Sequence, residues 1–177
     1  MKRNSRLTIA IAAATLAALG GTAASAQDKY ALKSPGGIAF ADFKGYEDWA
    51  TISTAKTDVL KVIVGNPAII KAFKAGVPGN GQHFPDGSKM VKLQWKTKKS
   101  TDAQFDVDVP DTFSQAFVME KDSKRFPNSG GWGYAVFNYD PKTDTFTPDA
   151  NSPADCGNAC HTKVKANDYV FHPYQKR

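Results

Sequence analysis

The pattern of apolar and polar positions predicts two clear β-strands in the middle of the chain. The β-branched run Val59–Val64 ends at Gly65, and residues 88–95 alternate between two faces. In this second strand Met90 and Lys92 share one face, while the odd-numbered apolar residues share the other. A lysine in the middle of a strand usually faces solvent, and the strand pattern by itself favours that interpretation for Lys92.

A helix is predicted directly after the first of these strands. Asn66 is suited to the N-cap, Pro67 to the first helical position and Gly76 to the position after the C-cap. Ile69 and Phe73 lie one turn apart on an apolar stripe between these ends. This stripe indicates core packing and no particular function.

The later part of the chain contains further strand signals and two long connections. Strands are predicted over residues 113–120 and 130–139, with a possible short strand at 105–109. Residues 46–52 resemble a short helix or a structured entry segment, 140–154 a polar loop, and 156–165 a helix. Four or five strands with two or three helices predict an α+β domain that is mainly an antiparallel β-sheet.

The first 26 residues have the pattern of a secretory signal peptide. A basic start, Met1–Arg6, precedes the apolar run Leu7–Leu19 and the small-residue cleavage pattern Ala24–Ala26. The apolar run is shorter than the roughly 20 residues that a membrane-spanning helix needs. We therefore expect export to a bacterial periplasm, no membrane anchor, and a single mature domain over residues 27–177.

The net charge of +6 owes half its value to this leader. The leader contributes three basic residues and no acidic ones, so residues 27–177 carry 20 basic and 17 acidic residues and a net charge of +3. The lysines are scattered, apart from a group at Lys96, Lys98 and Lys99. This distribution does not indicate nucleic-acid binding.

Both cysteines of the chain lie in one short segment, Cys156-Gly-Asn-Ala-Cys160-His161. Two cysteines followed directly by a histidine are typical of c-type haem attachment, in which each thiol adds to a porphyrin vinyl group and the histidine binds the iron. Three residues separate these cysteines, whereas the usual spacing is two. The additional residue requires a wider turn if both vinyl groups are to be reached.

Other chemistry remains open for the same segment. Cysteines at positions i and i+4 of a helix lie about 6 Å apart, which allows a Cys156–Cys160 disulfide in an oxidising compartment. A zinc site would need at least one more ligand, for which only His83 and His172 are available as further imidazoles.

Several motifs, taken together, resemble the cytochrome P460 family. They occur in the family's order: Phe84-Pro-Asp-Gly87, Lys92-Leu-Gln-Trp95, Gly130-Gly-Trp-Gly133, the Cys156–His161 segment, and then Asp168-Tyr-Val-Phe171. They extend across most of the chain after the leader.

This resemblance implies a fold, a cofactor and a class of reaction. The family fold is dominated by antiparallel β-structure, usually forms a homodimer and carries one covalent haem c, with its iron, per chain. Members oxidise hydroxylamine or act on nitric oxide at an open iron position, and the related cytochromes c′-β bind small gases. The redox partner protein is not indicated.

The resemblance also assigns roles to four residues. Cys156 and Cys160 correspond to the thioether cysteines and His161 to the iron ligand. Lys92 corresponds to the lysine that is cross-linked to the haem and acts in catalysis, although Lys89 lies in the same strand.

Three functional hypotheses follow. The first is an oxidoreductase that acts on small nitrogen species. The second is a gas-binding or electron-transfer cytochrome without catalysis, in which His83 or His172 could complete the iron coordination for electron transfer. The third is a haem-free exported domain with a disulfide.

Overall fold

The computed structural model describes residues 27–152, 157, 159–175 and 177. The predicted signal peptide, residues 1–26, and Cys156 lie outside the described residues. No helix in the described part is long and apolar enough to cross a membrane.

A six-stranded antiparallel sheet forms the centre of the fold, and its strands follow one another in chain order. The strands are β1 (Ala50–Lys56), β2 (Val59–Gly65), β3 (Lys89–Lys99), β4 (Asp108–Lys121), β5 (Trp132–Asp140) and β6 (Thr145–Pro148). Because consecutive strands are neighbours, each connection within the sheet is local, with helix α1 placed between β2 and β3. The sequence-based prediction of an α+β fold with a mainly antiparallel sheet is confirmed.

Helix α1 spans Pro67–Lys74 and begins as its sequence predicts. The Asn66 side-chain oxygen accepts a hydrogen bond from the backbone N–H of Ile69 at 3.1 Å, which caps the helix. Gly76 follows the helix with a φ of +92°. In this left-handed conformation glycine has no Cβ to clash, so the helix can end there.

Both faces of the sheet are covered. On one face Met90 and Ile63 belong to a buried cluster that includes helix α1 and Val170 near the C-terminus. On the other face Val91 packs in a cluster with Phe40 from the N-terminal segment. The alternation predicted for β3 is therefore confirmed, since Met90 and Val91 lie in different cores.

Three sequence-based expectations about the elements were incomplete or wrong. Residues 46–48 form a 3₁₀ turn, but strand β1 begins at Ala50, and the expected loop 140–154 contains strand β6. Strand β4 is continuous from Asp108, so residues 105–109 do not form a separate strand, and Phe105 is 77% exposed. Strands β1 and β6 are the two edges of the sheet, where pairing on one side stabilises sequences with weak strand patterns.

Candidate functional site

A cavity of about 390 Å³ lies between the first face of the sheet and the C-terminal segment. This volume falls in the range of about 300–1,000 Å³ that is usual for small-molecule and cofactor pockets. Most of its lining is apolar, from residues that include Ile63, Met90, Phe117, Met119, Val170 and Phe171. Side chains with reactive or titratable groups join them: Lys92, Tyr134, Cys160, His161 and His172.

Three of the four residues assigned from the sequence line this one cavity. Lys92 comes from β3, whereas Cys160 and His161 come from the short helix α2, Ala159–His161. Cys160 is exposed and His161 is partly buried. The structure thus brings Lys92 next to a segment that is distant in sequence, and the roles of the individual residues remain predictions.

The imidazole of His161 is held by a backbone carbonyl. Its Nδ1 lies 2.6 Å from the carbonyl oxygen of Tyr169. Because a carbonyl oxygen can only accept, Nδ1 carries the hydrogen and the lone pair of the neutral ring is on Nε2. A metal-binding histidine usually has this arrangement, in which the second nitrogen donates to a fixed acceptor.

The surroundings of His161 favour its neutral form. Burial lowers the pKa of the imidazole below its ordinary value, and the nearby charge of Lys92 acts in the same direction. The hydrogen bond to the carbonyl of Tyr169 opposes these effects but does not reverse them. A neutral imidazole is the form that binds a metal.

Two aromatic rings contact the imidazole of His161. The ring of Tyr134 lies 4.7 Å from it and the ring of Phe171 lies 4.9 Å from it, centre to centre. The buried hydroxyl of Tyr134 has no hydrogen-bond partner among the described residues, and burial raises its pKa. This hydroxyl is inaccessible from the cavity, so it does not face a ligand there. An apolar cavity with the Nε2 of His161 beside it fits a bound haem, which has a largely apolar macrocycle around its iron.

Lys92 is partly buried, whereas its strand pattern alone predicted a lysine that faces solvent. It pairs with Ile63 on β2 and Phe117 on β4, and its ammonium nitrogen lies 3.6 Å from the centre of the Phe117 ring. The strand interpretation was incomplete, because residues of the C-terminal segment, among them Val170 and His172, line the same cavity as Lys92.

Lys89, the other lysine considered on β3, lies on the opposite face of the sheet. Its ammonium donates to the carbonyl of Asp42 at 2.6 Å and lies 3.7 Å from a carboxylate oxygen of Glu120. Lys89 does not line the cavity. Lys92 is therefore the lysine of β3 that reaches the candidate site.

The two other histidines differ in their relation to the cavity. His172 is part of its lining, and burial lowers the pKa of its imidazole. His83 is 78% exposed and does not line the cavity, and its Nδ1 lies 3.1 Å from Asp168. Of these two, only His172 is placed to interact with a ligand in the cavity.

A buried ion pair next to this site was not anticipated from the sequence. Asp168 is 2% exposed and Lys121 is 6% exposed, and the ammonium nitrogen lies 2.8 Å and 3.0 Å from the two carboxylate oxygens. Only Asp168 had a signal in the sequence, since it belongs to a motif of the resemblance. Lys121 belongs to none of these motifs, and the 47 positions between the two residues hide their contact.

The glycine-rich segment before β5 allows the turn that contains Tyr169 to pack closely. Gly130 has a φ of +66°, and a Cβ built there would lie 2.1 Å from the Tyr169 ring. A side chain at this position would therefore be unfavourable both for the backbone and for packing.

Replacing Gly130 by alanine is expected to destabilise the protein by about 3 kcal/mol or more, because left-handed backbone strain and overpacking act together. Gly81 is a matched control, since it has a φ of +78° and no atom within 4 Å of its built Cβ. Gly81→Ala should cost only about 1–2 kcal/mol in backbone strain. Denaturant unfolding measures both, and equal losses would contradict the packing role.

A family model described as Cytochrome P460 matches residues 43–172, which is most of the chain. No curated protein matches the sequence.

Proposed function

Because this chain belongs to the cytochrome P460 family, we propose that it is an exported, periplasmic c-type haem protein that acts on small nitrogen species such as hydroxylamine or nitric oxide. The family implies haem and iron binding. The observation that carries the finer proposal is the cavity lined by Lys92, Cys160 and His161, with Nδ1 of His161 held by the Tyr169 carbonyl.

The residues that would hold the haem follow from this site. Cys156 and Cys160 would hold the haem through thioether bonds, each S–H adding across one vinyl group, and His161 would bind the iron through Nε2. Haem iron with a single imidazole ligand supplies an open coordination position and one-electron redox chemistry. The protein itself positions the imidazole, through the carbonyl of Tyr169, and excludes water with the apolar lining.

Covalent attachment is the first feature to test. The protein purified from a periplasm with c-type maturation is expected to stain for haem on a reducing denaturing gel, and its mass should include one haem per chain. Cys160→Ser should remove one of the two thioether bonds, whereas the double cysteine variant should lose the stain entirely. A wild-type protein without stain, and with a disulfide found by mass spectrometry and thiol counting, would favour the haem-free alternative.

Replacing Lys92 by methionine is expected to remove the spectrum of a cross-linked haem while the thioether-bound haem remains. Hydroxylamine oxidation should fall by about 10–100-fold, the range found when an outer partner of a metal site is lost. Lys96→Met is the matched control, since Lys96 is an exposed lysine of the same strand. Visible spectra and steady-state rates check this expectation, and an unchanged spectrum in the Lys92 variant would contradict the cross-link.

One observation favours a second candidate, a gas-binding cytochrome without turnover. None of the described residues that line the cavity carries a carboxylate, one of the groups that can remove protons from a bound amine, which leaves His172 as the candidate base there. The experiment that separates the two candidates is hydroxylamine-dependent reduction of an electron acceptor, measured beside nitric oxide and carbon monoxide binding. Gas binding without acceptor reduction would favour the second candidate.

The proposal includes a homodimer, as in the family. Sedimentation or light scattering of the haem-loaded protein tests it, and a monomer mass at micromolar concentration would exclude a stable dimer.

A further inference from the structure

The carbonyl that holds His161 belongs to a turn with an unusual backbone. Asp168 and Tyr169 have φ values of +47° and +64°, so two consecutive residues other than glycine are left-handed. Such residues persist only where their surroundings determine the conformation. The contacts of Asp168 explain how this turn is held.

Its buried carboxylate joins two other parts of the chain. One oxygen accepts the backbone N–H of Phe84 at 2.7 Å, and the other lies 3.1 Å from Nδ1 of His83. Both oxygens contact the ammonium of Lys121, at 2.8 Å and 3.0 Å. The turn is therefore tied to the loop before β3 and to the end of β4.

Lys121 extends these contacts to a third part of the chain. Its ammonium also donates to the carbonyl of Gly130 at 2.8 Å and lies 5.0 Å from the ring centre of Trp132. The Tyr169 ring also packs on Gly130. Gly130 therefore contacts both Lys121 and the turn that contains Asp168 and Tyr169. The ion pair and the glycine contact thus both act on the turn that carries the Tyr169 carbonyl.

We infer that Lys121 and Asp168 are positioning residues for the iron ligand: they hold the Tyr169 carbonyl against Nδ1 of His161 and so set the orientation and electron donation of Nε2. The inference rests on the proposed function, since it assigns His161 to the iron. A fixed acceptor on the second nitrogen of a metal-binding histidine orients the ring and raises its basicity. Here the acceptor is the Tyr169 carbonyl, and the buried ion pair of Lys121 and Asp168, 47 positions apart in the chain, holds it in place.

The test replaces the ion pair in the haem-loaded protein by a neutral pair, Lys121→Met with Asp168→Asn. Asparagine tolerates a left-handed backbone and keeps an acceptor for the N–H of Phe84. Resonance Raman spectroscopy of the ferrous protein measures the iron–histidine stretch, and redox titration measures the reduction potential. We expect a lower or broadened stretching frequency and a higher potential, because a loosened carbonyl makes His161 a weaker donor.

Glu120→Gln is the matched control. Glu120 precedes Lys121 on β4, is 3% exposed and contacts Lys89 and Arg125 on the opposite face of the sheet. It should change thermal stability without moving the iron–histidine stretch. The conservative variant Lys121→Arg, which keeps the charge and the donors, should retain the wild-type signature.

Two results overturn the inference. One is an unchanged stretch and potential in the neutral pair; the other is an equal change in Glu120→Gln, which would show a general effect of destabilisation. Both differ from failure of the proposed function, which would appear as wild-type protein without covalent haem or without a histidine-bound iron.

Discussion

Replacing His161 by alanine is expected to lower hydroxylamine oxidation by at least about 100-fold. Loss of an outer partner of a metal ligand typically costs 10–100-fold, so loss of the ligand itself should cost more. The haem should stay attached through Cys156 and Cys160, because the thioether bonds do not involve the imidazole. The variant should therefore keep its haem mass while the iron–histidine stretch disappears from the Raman spectrum.

His172→Ala is the control for this prediction. His172 lines the same cavity, but it lies outside the Cys156–His161 segment and does not directly follow a cysteine as His161 does. This variant should keep the iron–histidine stretch. If instead the His172 variant lost the stretch and the His161 variant kept it, the ligand would be assigned to the wrong residue.

Replacing Lys121 by methionine is expected to lower the free energy of unfolding by about 3–5 kcal/mol, the usual cost of leaving one member of a buried ion pair without its partner. The carboxylate of Asp168 would remain buried, with the N–H of Phe84 and the imidazole of His83 as its remaining polar partners among the described residues. Urea unfolding followed by circular dichroism measures this loss.

An exposed pair provides the comparison for Lys121. Lys98 lies 3.3 Å from Asp111, and both side chains are substantially exposed. Lys98→Met should therefore change stability by less than about 1 kcal/mol. Adding Asp168→Asn to Lys121→Met should recover part of the loss, because the uncompensated charge is removed. A loss below 1 kcal/mol for Lys121→Met would contradict a structural role for the pair.

The elements with strong local signals were predicted correctly. Helix α1 combines Asn66 at its N-cap, Pro67 at its start and Gly76 after its end, so its limits depend mainly on neighbouring residues. The alternation in β3 likewise placed Met90 and Val91 on different faces. Such signals are local because capping and alternation involve residues only a few positions apart.

The edge strands were missed for the opposite reason. Residues 50–56 are mostly small or polar, and residues 145–148 form a strand of only four residues. Each is a strand because an inner strand provides hydrogen-bonding partners along one side. This stabilisation comes from pairing and leaves little trace in the sequence of the edge strand itself.

The sequence by itself determined the β-rich fold class and the cysteine–histidine segment, and its motifs indicated the family. Only the tertiary structure decided that Lys92 lines the same cavity as His161 and that Lys121 pairs with Asp168. The physical reason is that each of these contacts joins positions far apart in the chain. Their proximity depends on strand register and on the packing of the C-terminal segment over the sheet, which no local pattern specifies.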